Sequence, residues 1–115
     1  MTDNRFSGEN KRQHYRIVYP ISCRPSLKIT RKEFEVVDIS ESGIRFLNKK
    51  WAPFTPGVRI QAEITFNDGD TLEIDGEILR VDDQVSILKL HNSIPFWKIV
   101  EEQRYIKKNY PDYLL

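Results

Sequence analysis

Apolar and polar positions alternate through most of the chain between residues 17 and 90. The pattern is cleanest over Val58-Arg59-Ile60-Gln61-Ala62-Glu63-Ile64-Thr65-Phe66, where every second side chain is apolar, the period of a half-buried strand. Glu33 to Ile39 alternates charged with apolar residues before the turn-rich Ser40-Glu41-Ser42-Gly43, and Ile44, Phe46 and Leu47 begin a further strand. Leu72 to Val81 predicts another, with a bulge at Gly76, and Val85 to Leu90 a last one. The apolar positions between Ile17 and Ile29 predict an extended segment kinked by Pro20 and Pro25, since proline cannot donate in a ladder. Asp68-Gly69 supplies the positive φ that a tight hairpin needs.

The period changes after residue 91. Phe96, Ile99, Val100, Gln103 and Ile106 recur at helical spacing, with Trp97 and Tyr105 widening the face. Asn92 or Ser93 is the expected cap, Pro95 falls in the first turn and Pro111 marks the end, so a helix is predicted over about 93–109, packed on the strands. Residues 48–57 read as a loop by their prolines and glycine, and residues 1–10 as a flexible N-terminal tail. Short strands joined by short loops predict an all-β antiparallel barrel or sandwich rather than a parallel α/β sheet.

Composition narrows the picture. A chain of 115 residues fits one domain, long enough to bury roughly two thirds of its unfolded surface around one core. No apolar run approaches the ~20 residues of a membrane span and no signal-peptide stretch opens the sequence, so a cytoplasmic protein without membrane insertion is expected. Cys23 is the only cysteine, which excludes an intrachain disulfide. His14, His91 and Cys23 stand at no metal-ligand spacing, and no metal or other cofactor is expected. The net charge of +1 conceals sorting along the chain: residues 1–32 carry +6 and residues 33–115 carry −5. A basic entry segment of this kind suits an anion, or the acidic remainder of its own chain.

Two short motifs carry candidate chemistry. Lys11-Arg12-Gln13-His14-Tyr15-Arg16 places two arginines at i, i+4 just ahead of the first apolar run. The guanidinium fork matches phosphate oxygens and the O6/N7 edge of guanine, and it stacks flat on a base. Each charge-assisted hydrogen bond of that kind contributes roughly 1.5–3 kcal/mol. The second motif, Asp38-Ile39-Ser40-Glu41-Ser42-Gly43, ends a predicted strand. Asp38 and Ser40, two residues apart, point to one side, where a carboxylate accepts from guanine N1–H and N2–H and a hydroxyl adds a contact. Gly43 suits a turn, either by taking positive φ or by keeping the backbone low enough for a planar base to approach. Taken singly, each motif also has a plain reading as solvated surface or an ordinary turn.

Together, a Lys-Arg-x-x-x-Arg arm followed by Asp-x-Ser-x-x-Gly, an all-β stretch and a terminal helix resembles the PilZ domain family. The likeness spans about residues 11–107 and includes Gly43-Ile44, Gly57 ahead of the long strand, and Ile74 to Arg80. The resemblance implies a six-stranded antiparallel β-barrel with a C-terminal α-helix, divided into an arm at 11–16, a barrel over about 17–91 and the helix, within a domain at 11–110. It further implies a receptor for the bacterial second messenger cyclic di-GMP that signals to a downstream protein partner. The arginine motif would grip phosphates and guanine through Arg12 and Arg16, while Asp38, Ser40 and Gly43 read guanine. Lys11 lies where members differ in how many nucleotides they hold. One departure is Ser86, where many members have glycine.

Three other classes compete with this reading. A PilZ-like adaptor working through protein contacts without nucleotide is the alternative. Nucleic-acid binding is disfavoured by the −5 carried over residues 33–115, which repels a polyanion. An enzyme is not expected: His14, Asp38 and Ser40 come with no Gly-x-Ser-x-Gly elbow and no metal-ligand cluster.

Overall fold

The structure is a computed structural model of the chain and describes residues 15–49 and 54–113. Its elements in order are β1 (Ile17–Val18), a single 3-10 turn (Ile21–Cys23), β2 (Ser26–Ile29), β3 (Lys32–Ile39), β4 (Gly43–Leu47), β5 (Arg59–Thr65), β6 (Thr71–Val81), β7 (Val85–Leu90) and α1 (Phe96–Asn109). Lys11, Arg12, His14 and the tail at 1–10 lie outside the described residues.

Strands β2 to β7 close on themselves. Every neighbouring pair is antiparallel in the order β2-β5-β6-β7-β4-β3, and β3 returns to β2, which makes a six-stranded barrel. Strand β1 lies on the same edge of β3 as β2, pairing Ile17 with Ile39 and Val18 with Asp38. β1 and β2 are thus two pieces of one kinked strand, parted at Pro20 and Pro25 as the prolines predict. The backbone keeps contact with β3 around the kink: Tyr19 N–H donates to the Val37 carbonyl and Val36 N–H to the Pro25 carbonyl.

A row of Ile17, Ile39, Ile44 and Leu88 crosses four strands in register, each at most 1% exposed, and forms the middle of the core. At one end Phe34, Phe46 and Phe54 meet edge to face with ring centroids 5.5 Å apart, a geometry that suits the aromatic quadrupole. The buried Ser86 closes the same region by donating to the Asn48 side chain, whose amide in turn holds the Asp82 carbonyl at 2.7 Å. The departure at residue 86 is therefore a polar tie between β7 and the end of β4.

Two details differ from expectation. The bulge in β6 falls between Ile78 and Arg80, not at Gly76. Gly76 pairs in register with Leu90, and its lack of a side chain admits the Lys89 carbonyl oxygen, which would stand 2.3 Å from a Cβ. Gly69 does take the expected positive φ, +92°, in the β5–β6 hairpin. The helix starts at Phe96 with Pro95 as its N-cap and no side-chain cap. Asn92 is occupied elsewhere, accepting from Asp75 N–H at 2.9 Å and donating to the Glu73 carbonyl at 2.8 Å, so it braces β6.

The buried face of α1 also departs from the apolar pattern. Ile99 and Ile106 are fully buried as predicted, but Phe96 and Trp97 are exposed, and Lys98 and Glu102 are buried instead. The Lys98 ammonium donates to Asp68 at 3.0 Å, Asp70 at 2.9 Å and Glu101 at 2.7 Å, lies 3.7 Å from Glu102, and sits over the Phe66 ring. The three exposed carboxylates thus converge on an ammonium that occupies the place of a cation. Glu102 accepts from the Tyr19 hydroxyl at 2.6 Å. Helix, hairpin and the end of β1 are pinned together by one charge cluster. Breaking a buried ion pair by removing one partner costs about 3–5 kcal/mol.

Burial alone would lower the Lys98 pKa, but its bonds to Glu101, Asp70 and Asp68 and the Glu102 charge outweigh it and raise the ammonium above its ordinary range. Burial and the neighbouring Glu102 likewise raise the Tyr19 phenol. Both groups hold their protons more tightly when folded, so their stabilisation is complete below the unfolded values near pH 10 and is lost as pH rises beyond them. Urea unfolding followed from pH 8 to 11.5 should show stability falling above about pH 10, by up to roughly 1.4 kcal/mol per pH unit for each group. Lys98→Met and Tyr19→Phe should each flatten that slope. Equal slopes in wild type and both variants would contradict the cluster.

Candidate functional site

The position of Asp38 follows from a bulge. Phe34 and Val36 face the core, and unbroken alternation would send Asp38 inward with them. The register of β3 against β4 shifts between Val36 and Asp38, so one residue is inserted and the phase reverses. Ile39 then joins the buried row, and Asp38 turns to the outer face between Val18 on β1 and Arg45 on β4, its cross-strand partners.

Asp38 is nevertheless only 4% exposed, because two guanidinium groups cover it. Arg16 Nη1 lies 3.5 Å from one carboxylate oxygen and Arg45 Nε 3.5 Å from the other. The Nε atoms of both arginines are buried and make no hydrogen bond among the described residues. Two guanidinium N–H groups at the edge of this site are thus left without a hydrogen-bond acceptor among the described residues.

The turn after β3 is held on three sides. Ser40 N–H donates to the Gly43 carbonyl, Leu90 N–H to the Ser42 carbonyl and Ile94 N–H to the Glu41 carbonyl, at 2.9, 2.8 and 3.0 Å. Gly43 does not use the positive φ that was one expectation for it. Its lack of a side chain matters for space, since a Cβ would stand 3.3 Å from the Leu88 carbonyl oxygen and 3.8 Å from Ser40 Oγ.

Arg16, Asp38, Ser40 and Gly43 accordingly line one recess of about 40 Å³, together with Ile44, Arg45 and Ile87. The structure brings together four of the six residues singled out in the sequence; Lys11 and Arg12 lie outside the described residues. Arg45 was missed. Its signal is the charge opposite Asp38 across an antiparallel pair, which is visible only once the register is known. The recess is far smaller than the several hundred Å³ of a pocket that engulfs its ligand.

Wider hollows of about 470 and 220 Å³ flank β5, but their chemistry is spent. Arg59 is paired in two-point fashion with Asp75 at 3.0 and 2.9 Å, a bond that holds the Asp75 carboxyl below its ordinary range. Among the described residues no helix is long and apolar enough to cross a membrane.

The PilZ domain family profile matches residues 10–105, and the chain belongs to that family. Solved structures agree in fold. The PilZ domain of YcgR from Escherichia coli, solved with c-di-GMP, aligns with TM-score 0.58 and 17% identity over 90% of this chain and 99% of its own. The Legionella protein Lpg0364 aligns with TM-score 0.60 and 16% identity over 83% of this chain and 99% of its own. The inhibitor of motility MotI/DgrA from Bacillus subtilis aligns with TM-score 0.61 and 16% identity over 92% of this chain, which spans about half of that protein at 55%. The search of curated proteins returned no match.

A direct test of the site's geometry is a double-mutant cycle on Arg45 and Asp38. With the carboxylate nearly buried and the arginine half-exposed, Arg45→Ala and Asp38→Asn should couple by about 1 kcal/mol in urea unfolding. Additive effects would mean that the pair does not form.

Proposed function

We propose that the protein is a cytoplasmic, non-catalytic receptor for cyclic di-GMP, whose N-terminal arm changes position when the ligand binds and so alters the surface offered to a downstream protein. The observation that carries this reading is the convergence of Arg16, Asp38, Ser40 and Gly43 on one recess, residues that come from both motifs and span 27 positions from Arg16 to Gly43. Membership of the PilZ family and the likeness to a YcgR domain solved with c-di-GMP support it.

The chemistry assigns the roles. Asp38 accepts from the N1–H and N2–H edge of a guanine lying over the recess, and Ser40 adds a hydroxyl contact. Arg16 turns its fork from the Asp38 oxygen toward phosphate or the guanine O6/N7 edge, and Arg12 supplies the second fork from the arm. Lys11 adds a cation that a second, stacked nucleotide would meet. Gly43 keeps the turn low. Before binding, Arg16 and Arg45 neutralise Asp38, so ligand entry replaces loose ion pairs with charge-assisted hydrogen bonds rather than exposing a bare carboxylate. The mechanism is thus an ordering of the basic arm against a preformed barrel face.

Isothermal titration with cyclic di-GMP provides the test. Wild type should bind saturably at micromolar concentration or tighter. Arg16→Ala and Asp38→Ala should each weaken binding at least tenfold, the loss of one charge-assisted contact of about 1.5–3 kcal/mol. Lack of saturable binding, or full affinity in both variants, would refute the assignment.

A further inference from the structure

Strand β1 has two faces, and only one belongs to the recess. Arg16 and Val18 point to the outer side, toward Asp38, while Ile17 and Tyr19 are buried against the core. The residues on either side of Arg16 are both tied to the helix. The Tyr15 hydroxyl accepts from Gln103 Nε2 at 2.9 Å, and the Tyr19 hydroxyl donates to Glu102 Oε1 at 2.6 Å. Consecutive helix residues therefore hold the chain one residue before and three residues after the arginine. Glu102 is 1% exposed and its second oxygen makes no hydrogen bond, so its attachment to Tyr19 is the more demanding of the two. Lys98 anchors that end of the helix to the β5–β6 hairpin.

We infer that α1 is a positioning element for the ligand site: Gln103 and Glu102, through Tyr15 and Tyr19, set where Arg16 stands, so that ligand binding at the recess and docking of the helix are coupled. This rests on the proposed function for the identity of the ligand. Tyr15, Tyr19, Glu102 and Gln103 act on Arg16 through the backbone and are positioning residues. Coupling of this kind is reciprocal, so whatever the helix contributes to ligand affinity, the ligand returns to helix docking. The output of the receptor then includes α1, on which Phe96 and Trp97 are exposed, as well as the arm.

The experiment pairs titration with hydrogen exchange in wild type, Tyr15→Phe, Gln103→Leu and the double variant, with Arg16→Ala as the control for the ligand reading. Each single variant should bind cyclic di-GMP three- to tenfold more weakly, and the double variant no more weakly than either, because both remove one bond. Without ligand, exchange of the amides of residues 16–19 should quicken in Gln103→Leu while residues 38–43 keep their protection. With ligand, exchange over residues 96–109 should slow in wild type and respond less in Tyr15→Phe. Unchanged affinity in both single variants, additive losses in the double variant, or unchanged exchange at 16–19 would each overturn the inference. If wild type does not bind, the proposed function fails, and the ligand-free exchange decides by itself whether the helix positions Arg16.

Discussion

The ammonium of Lys98 is shut away from water, and the structure is arranged to make that tolerable. An isolated buried charge costs several kcal/mol, so the ammonium requires carboxylates on more than one side. Asp68 and Asp70 come from a hairpin, Glu101 and Glu102 from the helix, and Glu102 in turn requires the Tyr19 hydroxyl. The helix therefore has one seat on the barrel. Because Tyr19 belongs to the segment that carries Arg16, the same cluster fixes one end of the candidate site.

The other end depends on the inserted residue in β3. By reversing the alternation after Val36 it puts Asp38 outside the barrel, while Ile39 completes the buried isoleucine row. The carboxylate then lies beside Arg16, just ahead of β1, and Arg45 on β4 rather than in the core. A nearly buried acid, two guanidinium groups and a backbone turn pinned to β7 and to Ile94 meet on this face. On the proposed mechanism the arginine segment is the part that moves, tethered to the helix through Tyr15 and Tyr19.

The strands and the two motifs were legible in the sequence because both are local. Period-2 alternation marks β5 over its whole length, the prolines mark the break between β1 and β2, and Asp68-Gly69 marks its hairpin. What could not be read depends on register and on distant partners. Gly76 looked like a bulge and is instead a close approach to Lys89, a difference set by the neighbouring strand. Lys98 and Glu102, four apart on a helix, look like an ordinary solvated pair; their burial follows from where the hairpin and Tyr19 lie. Arg45 is one of ten Lys/Arg residues beyond position 32 until the β3–β4 pairing places it opposite Asp38. Asn92, one of the two expected caps, is drawn away by the free edge groups of β6.

On the proposed function, cyclic di-GMP lies on the outer patch where β1, β3 and β4 meet. Amide chemical shifts followed by NMR while cyclic di-GMP is added locate it. The largest changes are expected at Arg16, Asp38 to Gly43 and Arg45, with smaller ones along α1, and none at Arg59, Gln61 and Asp75 around the wider hollows. Shifts confined to the β5–β6 face, or no shifts at saturating ligand, would contradict it.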